Sequence, residues 1–167
     1  ACKHKHKSVA CRALDHVTDI QSITNTIFYD IDVVKRAIAH GFDVSDRDYE
    51  AVKYGNVDVV MHVLPMLDDP SDTPSYAIDE HKWDIVEALL DAGVTVECSY
   101  VLHTCVKFKK VEILRRLVSM GLDNSFALEE AVKRKHIEMV KILASTNCDH
   151  STGLKLALDR RNLKMIA

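Results

Sequence analysis

The chain has 167 residues, 47% hydrophobic and 28% charged, with only five glycines and three prolines, a composition that excludes a disordered or loop-dominated protein. No apolar run reaches the roughly 18 residues that would suggest a membrane span. Five scattered cysteines (Cys2, Cys11, Cys98, Cys105, Cys148) are an odd count and exclude a paired disulfide framework, so reduced thiols in an intracellular protein are expected.

The first residues, Ala1-Cys2-Lys3-His4-Lys5-His6-Lys7, are basic with no apolar stretch behind them, which is not a secretory signal. The chain does not begin with Met, as expected of a fragment or a processed form. Cys2, His4, His6 and Cys11 are metal-ligand types, but one residue between Cys2 and His4 is too tight for paired zinc ligands, and interleaved lysines oppose a cation. No metal site and no cofactor are expected. Residues 1–17 read as an N-terminal segment or cap, and residues 18–167 as a single repeat domain.

From there the chain repeats itself. An acid followed by two aliphatic or long apolar residues recurs as Asp32-Val33-Val34, Asp58-Val59-Val60, Asp84-Ile85-Val86, Glu112-Ile113-Leu114 and Glu138-Met139-Val140. Lys164-Met165-Ile166 keeps the apolar pair without the acid. Successive steps of 26, 26, 28, 26 and 26 residues predict one supersecondary unit stacked on copies of itself.

Each unit reads as two short helices. Seven residues before the anchor stand small residues, Ala51, Ala77, Cys105, Ala131 and Ala157, each followed by an aliphatic. Five and six residues after it come Ala37-Ile38, Val63-Leu64, Leu89-Leu90, Leu117-Val118 and Leu143-Ala144. These intervals place one apolar stripe on each helix. Ile31, Val57, Trp83, Val111, Ile137 and Leu163 precede the anchors, so the single Trp is expected to be buried between helices rather than to bind a ligand. Nine residues after the anchor, Gly41, Gly93, Gly121 and Asn147 suit the left-handed residue that ends a helix. Leu67 with Pro65 stands there in the second unit, which predicts an early end to that helix.

These positions resemble the ankyrin repeat, most clearly in Asp84-Ile85-Val86-Glu87-Ala88-Leu89-Leu90-Asp91-Ala92-Gly93. The family's Thr-Pro-Leu-His opening survives in pieces. Leu102-His103 keeps the second half, Leu128 and Leu154 the leucine, and Thr73-Pro74 the first half one residue out of register. Gly55-Asn56-Val57-Asp58 and His136-Ile137-Glu138 resemble its Gly-His turn, and the likeness runs from about Asp19 to Ala167. It implies an all-α, ankyrin-like α-solenoid of about six helix–turn–helix repeats. Ankyrin repeats run to about 33 residues; the shorter period here implies that the projecting hairpin fingers are reduced to loops. Divergent, finger-poor repeats of this kind resemble those of large DNA viruses and some intracellular bacteria.

The resemblance implies a non-catalytic protein-interaction module in an intracellular, cytoplasmic or nuclear, setting. Charge suggests where a partner sits. Residues 1–104 hold 9 Lys+Arg against 18 Asp+Glu, whereas residues 105–167 hold 13 against 7. Much of the basic charge falls at the turn inside successive repeats: Lys107-Phe108-Lys109-Lys110, then Lys133-Arg134-Lys135-His136, then Arg160-Arg161. A column of cations in register suits a protein with an acidic surface. The alternative is a polyanion or nucleic acid, against which the acidic front half and the scarcity of stacking aromatics argue. Tyr54, Tyr76 and Phe108 are expected on the outward side of the first helices as aromatic anchors. The histidines are dispersed and the repeated acids share one structural register, so no catalytic group is expected.

Overall fold

Helix boundaries follow the repeat register. In the computed structural model, which describes residues 25–96 and 98–145, a 310 turn at Asn25–Tyr29 leads into α1 (Ile31–Ala39). Four helix pairs follow: α2 (Asp48–Tyr54) with α3 (Val57–Val63), α4 (Thr73–Asp79) with α5 (Trp83–Asp91), α6 (Tyr100–Lys107) with α7 (Val111–Ser119), and α8 (Ser125–Lys133) with α9 (Ile137–Ala144). The described residues are all-helical, with no strand among them, and the links between pairs are loops where a hairpin finger would otherwise project. Leu154, Ala157, Leu158, Arg160, Arg161 and the Lys164-Met165-Ile166 copy lie outside the described residues, as do Asn147, Cys148, Cys2, His4, His6 and Cys11.

The described residues fall into two compact units, one ending at Val94 and the other beginning at Thr95. In the first, the 310 turn, α2 and α4 pack side by side as one row, and α1, α3 and α5 as a second. In the second, α6 packs on α8 and α7 on α9 in the same two-row manner. Helices of seven to nine residues are marginal alone in water, so their stability has to come from burial against neighbours. The two residues after each acidic anchor provide it. Val33 and Val34, Val59 and Val60, Ile85 and Val86, Ile113 and Leu114, and Met139 and Val140 are all buried. Each such side chain contributes roughly 1.5–3 kcal/mol when fully removed from water. The small residues Ala51 and Ala77 of the first unit and Cys105 and Ala131 of the second are buried too, which lets adjacent first helices within each unit approach closely. The anchors themselves are exposed in the first turn of the second helix, where a carboxylate complements the helix dipole.

Helix ends close as the sequence implies. Gly41, Gly93 and Gly121 have φ of +91°, +80° and +83°. Where Leu67 replaces glycine, α3 stops at Val63 and a short 310 turn, Leu64–Met66, takes over. Thr73-Pro74 opens α4 with both residues buried. Asn124 fastens the link before α8, its buried amide donating to the Leu143 carbonyl at 2.9 Å.

Trp83 corrects the sequence expectation, because it is half-buried rather than buried and its ring stacks on His81 at 6.4 Å. It is the first residue of α5. Its equivalents Ile31, Val57 and Val111 are also half-buried, and Ile137 is exposed. The first residue of a helix stands at the rim of the stripe, and the core is filled by the two residues after the anchor.

Candidate partner-binding site

Each first helix in the last three described repeats closes on a small residue. The backbone N–H of Lys82 donates to the Ala77 carbonyl, that of Lys110 to Cys105, and that of His136 to Ala131, at 2.9, 2.9 and 3.0 Å. This six-to-one closure requires a left-handed residue just before the donor. His81, Lys109 and Lys135 fill that place with φ of 58°, 59° and 58°. A side chain other than glycine costs about 1–2 kcal/mol in that conformation. The second repeat escapes the requirement, since Gly55 has φ −84° and α2 runs one residue further past its buried alanine, to Tyr54 after Ala51, where α4 stops at Asp79 after Ala77.

The strained turns of the second unit carry cations. Lys109, Lys135 and His136 line a cleft of about 320 Å³ whose apolar floor includes Val111, Ile137 and Met139. Burial first, then the charges of Lys109 and Arg134, hold the His136 pKa below the ordinary histidine value. The imidazole therefore accommodates nearby positive charge by remaining neutral. Glu138 also borders the cleft, with its carboxylate 3.9 Å from Arg115.

Not every cation of the expected column is available. Lys133 is 2.5 Å from Glu129 and Arg134 is 2.5 Å from Glu130, both as (i, i+4) pairs on α8. Lys107 lies over the Phe108 ring at 5.5 Å, and Lys110 is half-buried at the turn. Lys109 and Lys135 are exposed and make no ion pair among the described residues. The structure thus brings together Lys109, Lys135 and His136, while Lys133 and Arg134 turn back on their own helix. Arg160 and Arg161 lie outside the described residues.

The aromatic expectation needs correction as well. Phe108 is exposed, but Tyr54 and Tyr76 are half-buried because each packs on another tyrosine, Tyr54 on Tyr29 at 5.8 Å and Tyr76 on Tyr49 at 5.4 Å. Lys53 sits over the Tyr49 and Tyr54 rings and donates to the Tyr49 hydroxyl at 3.0 Å. The more exposed rings are Tyr29, Tyr100 and Phe126, none of which the periodicity singled out. Tyr100 and Phe126 both stand twelve residues before an anchor, at the head of the first helix, and that shared register was the available signal.

Among the described residues no group of three or more His, Cys, Asp or Glu is placed to hold a metal ion, and no helix is long and apolar enough to cross a membrane. Residues 75–154 match the family of ankyrin repeats in three copies. No curated protein and no solved structure matches the chain. The match lends no support to a viral source. Ankyrin repeats generally mediate protein–protein interactions and are typically non-catalytic. Paired helices in a common register and the family match over three copies agree: residues 75–154 are ankyrin repeats.

Proposed function

We propose that the chain is a non-catalytic interaction module that holds an acidic segment of a protein partner against the turns of its rear repeats. Lys109, Lys135 and His136 form the centre of this surface, and Arg161 holds the same place as the two lysines in the sequence period. The observation that carries the reading is that two lysines with no ion pair among the described residues occupy left-handed positions where glycine would relieve strain. Local helix chemistry did not demand a lysine there, since His81 fills the same left-handed place in the third repeat. An intracellular setting belongs to the same reading, supported by the free thiols Cys98 and Cys105.

The test is charge reversal in the full chain, Lys109→Glu with Lys135→Glu and Arg161→Glu. Proteins captured from lysate by the wild type should be acidic at the contact, should be lost from the variant and should elute with moderate salt. Capture unchanged by the triple substitution sinks the proposal. If a DNA duplex or heparin displaces the captured protein and binds with a steep log–log salt dependence, the polyanion reading replaces it.

A further inference from the structure

We infer that a second cleft, at the amino-terminal heads of α6 and α8, receives a cationic side chain of a partner, an arginine in preference to a lysine. Its lining is Ser99, Tyr100, His103, Asp123 and Phe126, around a volume of about 370 Å³. Tyr100 opens α6 and Phe126 is the second residue of α8, so the two rings occupy equivalent places in consecutive repeats. They are 54% and 76% exposed, unusual for aromatic rings with a neighbouring core available to them. His103 lies nearly parallel to Tyr100, with centroids 6.4 Å apart and planes 25° apart.

The charge of the cleft selects its occupant. Asp123 Oδ1 accepts from the Ser125 backbone N–H at 3.1 Å and from the Ser125 hydroxyl at 2.6 Å. These bonds hold the carboxylate in place and keep it ionised. Its second oxygen, Oδ2, takes no hydrogen bond among the described residues and is free to meet a donor. Glu130, paired with Arg134, stands 3.7 Å from His103 Nε2. Aromatic faces attract cations, and a planar guanidinium stacks on them while donating in its own plane. An ammonium can do only one of these well. The two helix N-termini oppose a positive guest, so the attraction must come from the rings and Asp123. An anion would meet the N-termini favourably but would face the Asp123 carboxylate.

This cleft is separate from the acidic-segment site. It lies at the opposite end of the first helices, roughly 12 Å away at 1.5 Å per residue over the eight residues of α6. Its test is therefore independent. The full chain would be titrated by NMR with N-acetylated, C-amidated Gly-Arg-Gly and with its lysine, citrulline and leucine counterparts. The arginine peptide should shift Tyr100, His103 and Phe126 resonances together. It should bind about threefold or more tighter than the lysine peptide, and at least about tenfold tighter than the citrulline peptide. Phe126→Ala and Asp123→Asn, an exposed truncation and a change that keeps the Ser125 acceptor, should each weaken it several-fold. Lys109→Glu with Lys135→Glu should leave it unchanged. Equal binding of citrulline or leucine, indifference to Asp123→Asn, preferential binding of inorganic phosphate, or shifts located elsewhere would each overturn the proposal.

Discussion

Single residues separate the repeat's scaffold from its surface. Cys105 is one of the small buried residues of the first helices, and burial pushes its thiol up to about 12 despite the opposing charge of Lys110. Cys98 is exposed in the link before α6. In native buffer at pH 8, iodoacetamide should modify Cys98 and spare Cys105, which reacts only after denaturation. Mass spectrometry of the labelled peptides checks this, and equal labelling in the native state would contradict the packing. The same shift has a stability consequence. The thiol's folded pKa lies above its ordinary 9.0, so the unfolded chain loses this proton first as pH rises. Its stabilisation is complete below pH 9 and declines between 9 and about 12, with a limiting slope of about 1.4 kcal/mol per pH unit.

At the scale of the element, the turn between paired helices comes in two forms, and the chemistry of one residue decides which. A Cβ on Gly55 would stand 2.3 Å from the Ala51 carbonyl oxygen and 2.8 Å from Val59 Cγ1. Gly55→Ala should therefore destabilise the protein by about 1–3 kcal/mol in urea unfolding, because a helix carbonyl has nowhere to retreat. An unchanged midpoint would contradict this geometry. The next repeat reinforces the tight turn, since Lys82 Nζ donates to the Lys53 and Gly55 carbonyls at 2.9 and 2.8 Å. One cation thus ties the end of α2 to the start of α5.

Much of this was legible before the structure. The acid-plus-two-apolar pattern located all five second helices among the described residues, because the core falls on the same two positions in every copy. The early end of α3 at Val63 followed from Pro65 and Leu67. Side-chain neighbours were not legible. Tyr54 looked outward from spacing alone, yet Tyr29, twenty-five residues earlier, covers it. Four basic residues in a row, Lys133 to His136, looked equivalent, yet two of them find carboxylates one helical turn back. Register fixes which face a residue occupies, and partners on that face decide how much of it remains for binding.

Over the whole molecule, repeats with a near-constant core carry a surface charge that changes sign along the chain, from 9 cations against 18 acids in residues 1–104 to 13 against 7 in residues 105–167. A core that repeats leaves the surface free to vary, and the positions where the surface departs from the easiest scaffold choice are where function is expected. Lys109 and Lys135 are such positions. They hold a left-handed backbone that glycine would adopt with less strain, beside a histidine whose pKa is held down by burial and then by the Lys109 charge. The account accordingly requires stability and binding to move in opposite directions when they are replaced. Lys109→Gly with Lys135→Gly in the full chain, compared with wild type by urea unfolding and by titration with a glutamate-rich peptide, tests this most directly. Stability should hold or rise by up to about 1 kcal/mol per site, the strain relieved being partly offset by glycine's greater freedom when unfolded. Peptide affinity should fall about tenfold or more, about 1.4 kcal/mol of binding energy. Unchanged affinity, or a clear loss of stability, would contradict the claim that these turns are shaped for a partner.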